Sequence, residues 1–287
     1  MILVTGATGV LGNGVIENLL KTTPANKIAA LVRDESKAAN LKEKGVNIRV
    51  GSYQDKDALA TAMKGINRVL LISSSDFNDR IGQHKNVIDA AKDAEVKHIF
   101  YTSVSIEDMD NSPIKPLLGD HFETENYIKG SGLTYTFLRN NLYQEVVPMF
   151  VGENVLETGI FFPSGEGKVA FVSRADLAEA TAIILTGKGY DNKIIALTGS
   201  QAYSYAEIAK ELSKFSEKEV AFTSPEPSVF SETLKGFGLP AHIVQMSSLF
   251  AAGIKNKDFE TTSNDLENLL GREPKKLTNF LREVYGK

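Results

Sequence analysis

Met1-Ile-Leu-Val-Thr-Gly-Ala-Thr-Gly-Val-Leu-Gly12 opens the chain and governs how the rest of it is read. Ile2 to Val4 is a short apolar run of the kind that forms a buried strand. It breaks into Gly6-x-x-Gly9-x-x-Gly12 and passes straight into a helical pattern, with Leu11, Val15, Ile16, Leu19 and Leu20 on one face. Alone, three glycines at this spacing indicate only a tight turn. Between a strand and a helix they predict a dinucleotide site. A pyrophosphate must approach bare backbone, and side chains there would hold it off. The helix that follows offers free N–H groups and the positive end of its dipole.

Composition sets the bounds. A chain of 287 residues admits one large α/β unit or two unequal lobes. With 42% hydrophobic and 24% charged residues it has the make-up of an ordinary globular protein with a substantial core. A net charge of −4 leaves no electrostatic footprint for nucleic acid or an anionic membrane. No apolar run approaches the roughly 18 residues of a membrane span. The opening strand predicts a chain without a secretion signal. The absence of cysteine excludes disulfides, thiolate catalysis and thiolate-bound metal. The expectation is a cytoplasmic protein.

Beyond the glycine turn, strands and helices alternate with short connections. Ile28 to Val32, Val46 to Val50, Val69 to Ser73, His98 to Ser103 and Thr134 to Arg139 read as the next five strands. Helices are expected from Ser36 through Leu41, from Asp55 or Asp57 to Lys64, over Gln83 to Ala94, and from about Asp120 to Lys129. In the third of these, Val87, Ile88 and Ala91 face inward. The pattern predicts an α/β fold with a Rossmann-like, doubly wound parallel sheet and right-handed crossovers. From about residue 140 the rhythm changes. Residues 1–140 read as the nucleotide-binding domain. Residues 141–287, with a strand at Lys193 to Leu197 and mostly helices elsewhere, read as a smaller cap lobe, the chain being free to cross between them.

Thr5-Gly-Ala-Thr-Gly-Val-Leu-Gly12, Val32-Arg33, Leu70-Leu-Ile-Ser-Ser-Ser75, Tyr101-Thr-Ser103, Tyr135-Thr-Phe-Leu-Arg-Asn140, Ser173-Arg-Ala-Asp176 and Asp265-Leu-Glu-Asn-Leu-Leu-Gly-Arg272 together resemble one family. It is the NmrA-like branch of the atypical short-chain dehydrogenase/reductase superfamily, and the resemblance covers essentially the whole chain. Within it, the chain is similar to bacterial NAD(P)H:quinone oxidoreductases of type 2 and to triphenylmethane dye reductases.

That resemblance implies an NADP(H)-binding oxidoreductase. Gly6, Thr8, Gly9, Val10, Leu11 and Gly12 would hold the pyrophosphate. Arg33, at the tip of the second strand where an acid would favour NAD, suits the extra phosphate of NADPH, with Lys37 adding to the field. Ser52 and Tyr53 would lie near the adenine. Ser73, Ser74 and Ser75 would line the cofactor, and Thr102 and Ser103 would stand close to the nicotinamide. Asn140 and Asn141 resemble the loop on its other side. Tyr143 and Phe150 would floor a slot for a flat substrate. The ordinary alternatives are a solvated Arg33 beside Asp34, a polar strand exit at the serines, and aromatic residues that belong to a core.

One departure is instructive. Typical members of the superfamily pair a Tyr with a Lys four residues on, the Tyr serving as proton donor. None of the nine tyrosines here has that lysine. Anchored on Glu125, which resembles a recurrent glutamate of the family, the Lys position holds His121 and the Tyr position Leu117. Quinones and cationic dyes accept hydride without a dedicated acid. The expected function is therefore NADPH-dependent hydride transfer to a quinone-like acceptor, with His121 as ribose ligand or occasional proton donor. The alternative is a non-catalytic NADP(H)-binding redox sensor. The other histidines lack metal-ligand spacing, so no metal is expected. A homodimer is the prior for assembly.

Overall fold

The computed structural model describes residues 1–76 and 78–286. Its framework is β1 (Ile2–Val4), α1 (Val10–Leu19), β2 (Ile28–Val32), α2 (Ala39–Glu43), β3 (Asn47–Val50), α3 (Lys56–Ala62), β4 (Arg68–Leu71), α4 (Arg80–Asp93), β5 (His98–Val104), α5 (Lys115–Ser131) and β6 (Thr134–Asn140). The strands lie in the order β3-β2-β1-β4-β5-β6, and Lys193–Leu197 adds a seventh beside β6. Every pair from β3 to β6 is parallel. β1 pairs Leu3 with Ala29 on one side and with Val69 on the other. The order therefore reverses between β1 and β4, and the crevice at their carboxyl ends is where such sheets take ligands.

The residues explain the sheet. β2 and β5 are buried along their whole length, as strands covered by helices on both faces must be. On one face Leu3, Leu31, Val69, Ile99 and Phe137 pack with Leu59 and Met63 at α3 and with Val87, Ile88 and Ala91 of α4. On α1, a Cβ at Gly14 would come within 2.9 Å of Ala178 Cβ, so the helix Arg174–Thr186 seats closely against it.

By contacts the chain forms two compact units. The first holds Met1–Val104, Asp120–Asn140 and Arg174–Ala196; the second holds Ser105–Gly119, Asn141–Ser173 and Leu197–Lys287. The second unit is built on aromatic packing. Phe162 meets Phe150, Tyr205 and Phe230 with ring centroids 5.1, 4.7 and 5.7 Å away. Its helix Tyr205–Ser216 starts in a capping box, Ser204 Oγ accepting from the Glu207 amide and Glu207 answering on the Ser204 amide.

Several elements differ from the sequence expectation. α4 begins at Arg80 rather than Gln83, and β4 ends at Leu71 rather than Ser73. Lys193–Leu197 belongs to the central sheet rather than the cap lobe. Asn192 N–H donates to the Tyr135 carbonyl and Asn141 N–H to the Leu197 carbonyl, so the strand extends the ladder past β6 in the same direction. α5 begins at Lys115 rather than near Asp120, because Pro116 sits in its first turn, where a missing N–H costs nothing. After β2 the cap is Asp34, accepting from the Ser36 amide, and a 3-10 turn at Glu35–Ala38 precedes α2.

Candidate active site

The glycine turn leaves β1 through Gly6, whose φ of +57° lies in the left-handed region. Gly9 N–H donates to the Gly6 carbonyl at 3.0 Å and closes the turn. A Cβ at Gly12 would strike that same carbonyl, so helix and strand meet here only without a side chain. Gly6, Thr8, Gly9 and Val10 are exposed while Leu11 and Gly12 are buried. Gly9 caps α1, no side chain bonds to the first turn, and no acid stands in it. The positive end of α1 is thus bare.

Behind the turn, Thr5 Oγ1 accepts from the Ile72 amide at 3.0 Å. The Tyr53 hydroxyl is hydrogen-bonded to Thr5 Oγ1 and donates to the Ile72 carbonyl at 2.9 Å. Desolvation pushes the Tyr53 pKa up, so the phenol stays protonated. Tyr53 therefore ties the exits of β1, β3 and β4 together. Ser52 precedes it, its carbonyl accepting from the Asp55 amide.

At the tip of β2, Arg33 and Lys37 are exposed. The Asp34 carboxylate turns to its own loop and accepts from the Ser36 amide and hydroxyl at 2.9 and 2.7 Å. Those bonds lower its pKa. Arg33 makes no ion pair or hydrogen bond among the described residues, so its guanidinium is solvated beside an Asp34 that is turned to its own loop.

Past β4, Ser73 N–H donates to Thr102 Oγ1 at 2.8 Å, which fastens the loop to β5. Ser74 is engaged by α4, and Ser75 is exposed without a hydrogen bond among the described residues. At the end of β5, Ser103 Oγ donates to Glu125 Oε1 at 2.6 Å. Glu125 is 1% exposed and takes a bidentate pair from Arg139, at 2.9 and 2.7 Å. The Arg139 guanidinium stands 4.6 Å from the Phe122 ring centre.

His121 is half-buried, with Nδ1 2.9 Å from the Tyr101 hydroxyl. Burial, then the nearby Arg80, lowers its pKa to about 3, so the ring is neutral near pH 7. Desolvation raises the Tyr101 pKa. Tyr101 and His121 thus share one hydrogen bond between two neutral groups, whose direction follows the imidazole tautomer. Sequence reasoning missed Tyr101, Arg80, Gln83 and His84. The last three continue the inward stripe of α4 one turn and more below Val87 and Ile88, and polar residues on such a stripe were the available signal.

Asn140 ends β6, 4% exposed, with its Oδ1 lacking a hydrogen-bond partner among the described residues. Asn141 belongs to the second unit and is spent internally, Nδ2 on the Phe259 carbonyl and Oδ1 on the Leu142 amide. Tyr143, in the same unit, bridges to Val172. Phe150 packs on Phe162 and Phe250, ring centres 5.1 and 5.5 Å away. The fold thus gathers Gly6 to Gly12, Arg33, Ser73 to Ser75, Thr102, Ser103 and Asn140 at the carboxyl edge of one sheet. Asn141, Tyr143 and Phe150 lie in the other unit. Among the described residues no group of three or more acids and histidines could hold a metal, and no helix is long and apolar enough to cross a membrane.

Known proteins are similar to this chain over its whole length. Quinone oxidoreductase 2 of Escherichia coli (strain K12) is 38% identical over 287 residues, spanning 100% of this chain and 99% of that protein. The crystal structure of the NADPH-dependent quinone oxidoreductase from Escherichia coli with NADPH matches at a TM-score of 0.94 and 37% identity, covering 99% of this chain and 100% of that one. The Citrobacter sp. triphenylmethane reductase with NADP(H) matches at 0.91 and 36%, with coverage of 99% and 100%. The NmrA-like family profile matches residues 1–283, and the chain belongs to the NmrA-like family.

Proposed function

We propose that this chain is a cytoplasmic NADPH-dependent oxidoreductase that passes a hydride to a flat, quinone-like acceptor. The observation that carries the reading is the combination of a bare glycine turn on a helix without a side-chain cap and a guanidinium, unpaired among the described residues, at the tip of the neighbouring strand. The turn meets a pyrophosphate with backbone N–H groups, and Arg33 meets a ribose phosphate with its planar fork. The residues fit NADPH. Asn140 adds a buried, partnerless amide oxygen at the same edge, suited to an amide N–H donor.

NADPH supplies the hydride. The chain's own residues supply position and dryness. Ser103 donates its hydroxyl hydrogen bond to Glu125, so toward a cofactor its oxygen would serve as an acceptor rather than an acid. His121 takes a ribose-side role as a neutral ring, since an imidazolium with an ordinary pKa is not available there. No pre-placed acid is required when the acceptor is electron-poor and the oxyanion it leaves is taken up by water. Thr102 and Tyr53 brace the exits of β4 and β1.

The test is oxidation of NADPH by purified protein with 1,4-benzoquinone, followed by absorbance of the reduced nicotinamide. Turnover above the enzyme-free rate is expected. NADPH binding with no turnover across several quinones would sink the enzyme reading in favour of a redox sensor.

A further inference from the structure

Ser74 stands in the middle of the loop that leaves β4, and three side chains from the first turns of α4 hold every polar group it has. His84 Nε2 accepts from the Ser74 amide at 2.9 Å, and Arg80 Nε donates to the Ser74 carbonyl at 3.0 Å. The Ser74 hydroxyl donates to Gln83 Oε1 at 2.9 Å and accepts from the Asp76 amide at 3.1 Å. Gln83 Nε2 then closes the ring on Asp76 Oδ2 at 2.7 Å. The three helix residues are 3%, 5% and 0% exposed for Arg80, Gln83 and His84.

A core helix has no packing reason to bury a guanidinium, an amide and an imidazole at adjacent positions. Burying such groups costs free energy unless each finds a partner, and here the partners converge on one serine. The chemistry of His84 is fixed to match. Nε2 must be bare to accept from an amide, so the proton sits on Nδ1, which faces Thr124 Oγ1 at 2.9 Å. Thr124 in turn donates to the Asp120 carbonyl at 2.8 Å. Burial and Arg80 lower the His84 pKa to about 3, which keeps the acceptor form in place. This chain of bonds runs from α5 through α4 to the loop.

We propose that Arg80, Gln83 and His84 are positioning residues that clamp Ser74 and thereby hold the Ser73–Ser75 loop in the shape that accepts the cofactor. This rests on the NADPH reading above. It also divides the three serines. Ser74 has both its N–H and its O–H engaged and no donor left for a ligand, whereas Ser75 has its hydroxyl free among the described residues. Ser74 belongs to the support and its neighbours to the contact surface.

The experiment compares wild type with His84→Leu, which removes the acceptor, and His84→Gln, whose side-chain oxygen restores one. Three quantities are measured: NADPH affinity by fluorescence of the reduced nicotinamide, KM against kcat, and hydrogen exchange of the loop amides without cofactor. Loss of a buried hydrogen bond to the loop is expected to weaken NADPH binding by about tenfold in His84→Leu, with the loss in KM rather than kcat. The Ser74 amide exchanges faster, and His84→Gln recovers most of the affinity. Gln83→Leu provides the same comparison if His84→Leu does not fold. Wild-type affinity and loop exchange in His84→Leu and Gln83→Leu, with only a lowered Tm, would overturn the clamp. A wild type that takes no NADPH would overturn the cofactor reading and this inference with it.

Discussion

Ser103 Oγ donates to Glu125 Oε1 across 2.6 Å, and the same carboxylate carries both nitrogens of the Arg139 fork. One buried acid thereby fixes the serine at the end of β5 and neutralises a cation on β6. Removing one partner of such a pair strands the other, at a cost of about 3–5 kcal/mol. Glu125→Leu is accordingly expected to destabilise by that order in urea unfolding. Ser103→Ala costs about 1–2 kcal/mol. The double variant falls short of the sum, because Ser103 has lost its acceptor already. Full additivity would place the two residues in separate networks.

Gly12→Ala drives a methyl group into the Gly6 carbonyl, and nearby backbone offers no room to give way. The turn must open. The expected outcome is a fall in Tm together with loss of NADPH affinity by more than about tenfold. An alanine variant with wild-type affinity in a binding titration would remove the turn from the site.

Arg33 is free to pair with a phosphate because Asp34 caps its own loop. Arg33→Ala is expected to weaken NADPH by about tenfold or more while leaving NADH nearly unchanged, the loss of one charge-assisted bidentate contact. Equal losses for the two nucleotides would show that Arg33 does not read the phosphate.

His84 and His121 each have a folded pKa near 3 against an ordinary 6.5. Above pH 6.5 neither the folded nor the unfolded chain protonates them. As pH falls below that, the unfolded chain takes up protons that the folded chain refuses, and stability is lost progressively down to about 3. The slope approaches about 1.4 kcal/mol per pH unit for each histidine. Urea unfolding at about pH 7.5 and about pH 5.5 is expected to show a smaller drop for His121→Gln than for wild type. An unchanged drop would mean that His121 titrates normally in the fold.

Much of this is legible in the sequence, for physical reasons. A glycine turn between an apolar strand and an amphipathic helix announces itself locally, and so does the free arginine at the end of the second strand. What the sequence withheld depends on long-range pairing. Lys193–Leu197 carries an apolar run that reads as a strand, yet nothing in it names the sheet it joins. Three consecutive serines look alike in a row. Only the fold separates Ser74, closed on α4, from the exposed Ser75. His121 was visible as the residue in the lysine's place, but its neutrality comes from burial and from Arg80, which lies in a different helix. Glu125 was recognised as a landmark, whereas its bond to Ser103 required β5 and α5 side by side.

Hydride transfer without a dedicated acid leaves an isotopic signature. The direct measurement is a pair of isotope effects on benzoquinone reduction: one with NADPH deuterated at the transferred position of C4, the other in deuterated water. A slower reaction with the deuterated nucleotide and an unchanged rate in deuterated water are expected. A rate sensitive to the solvent and indifferent to the C4 label would contradict this mechanism.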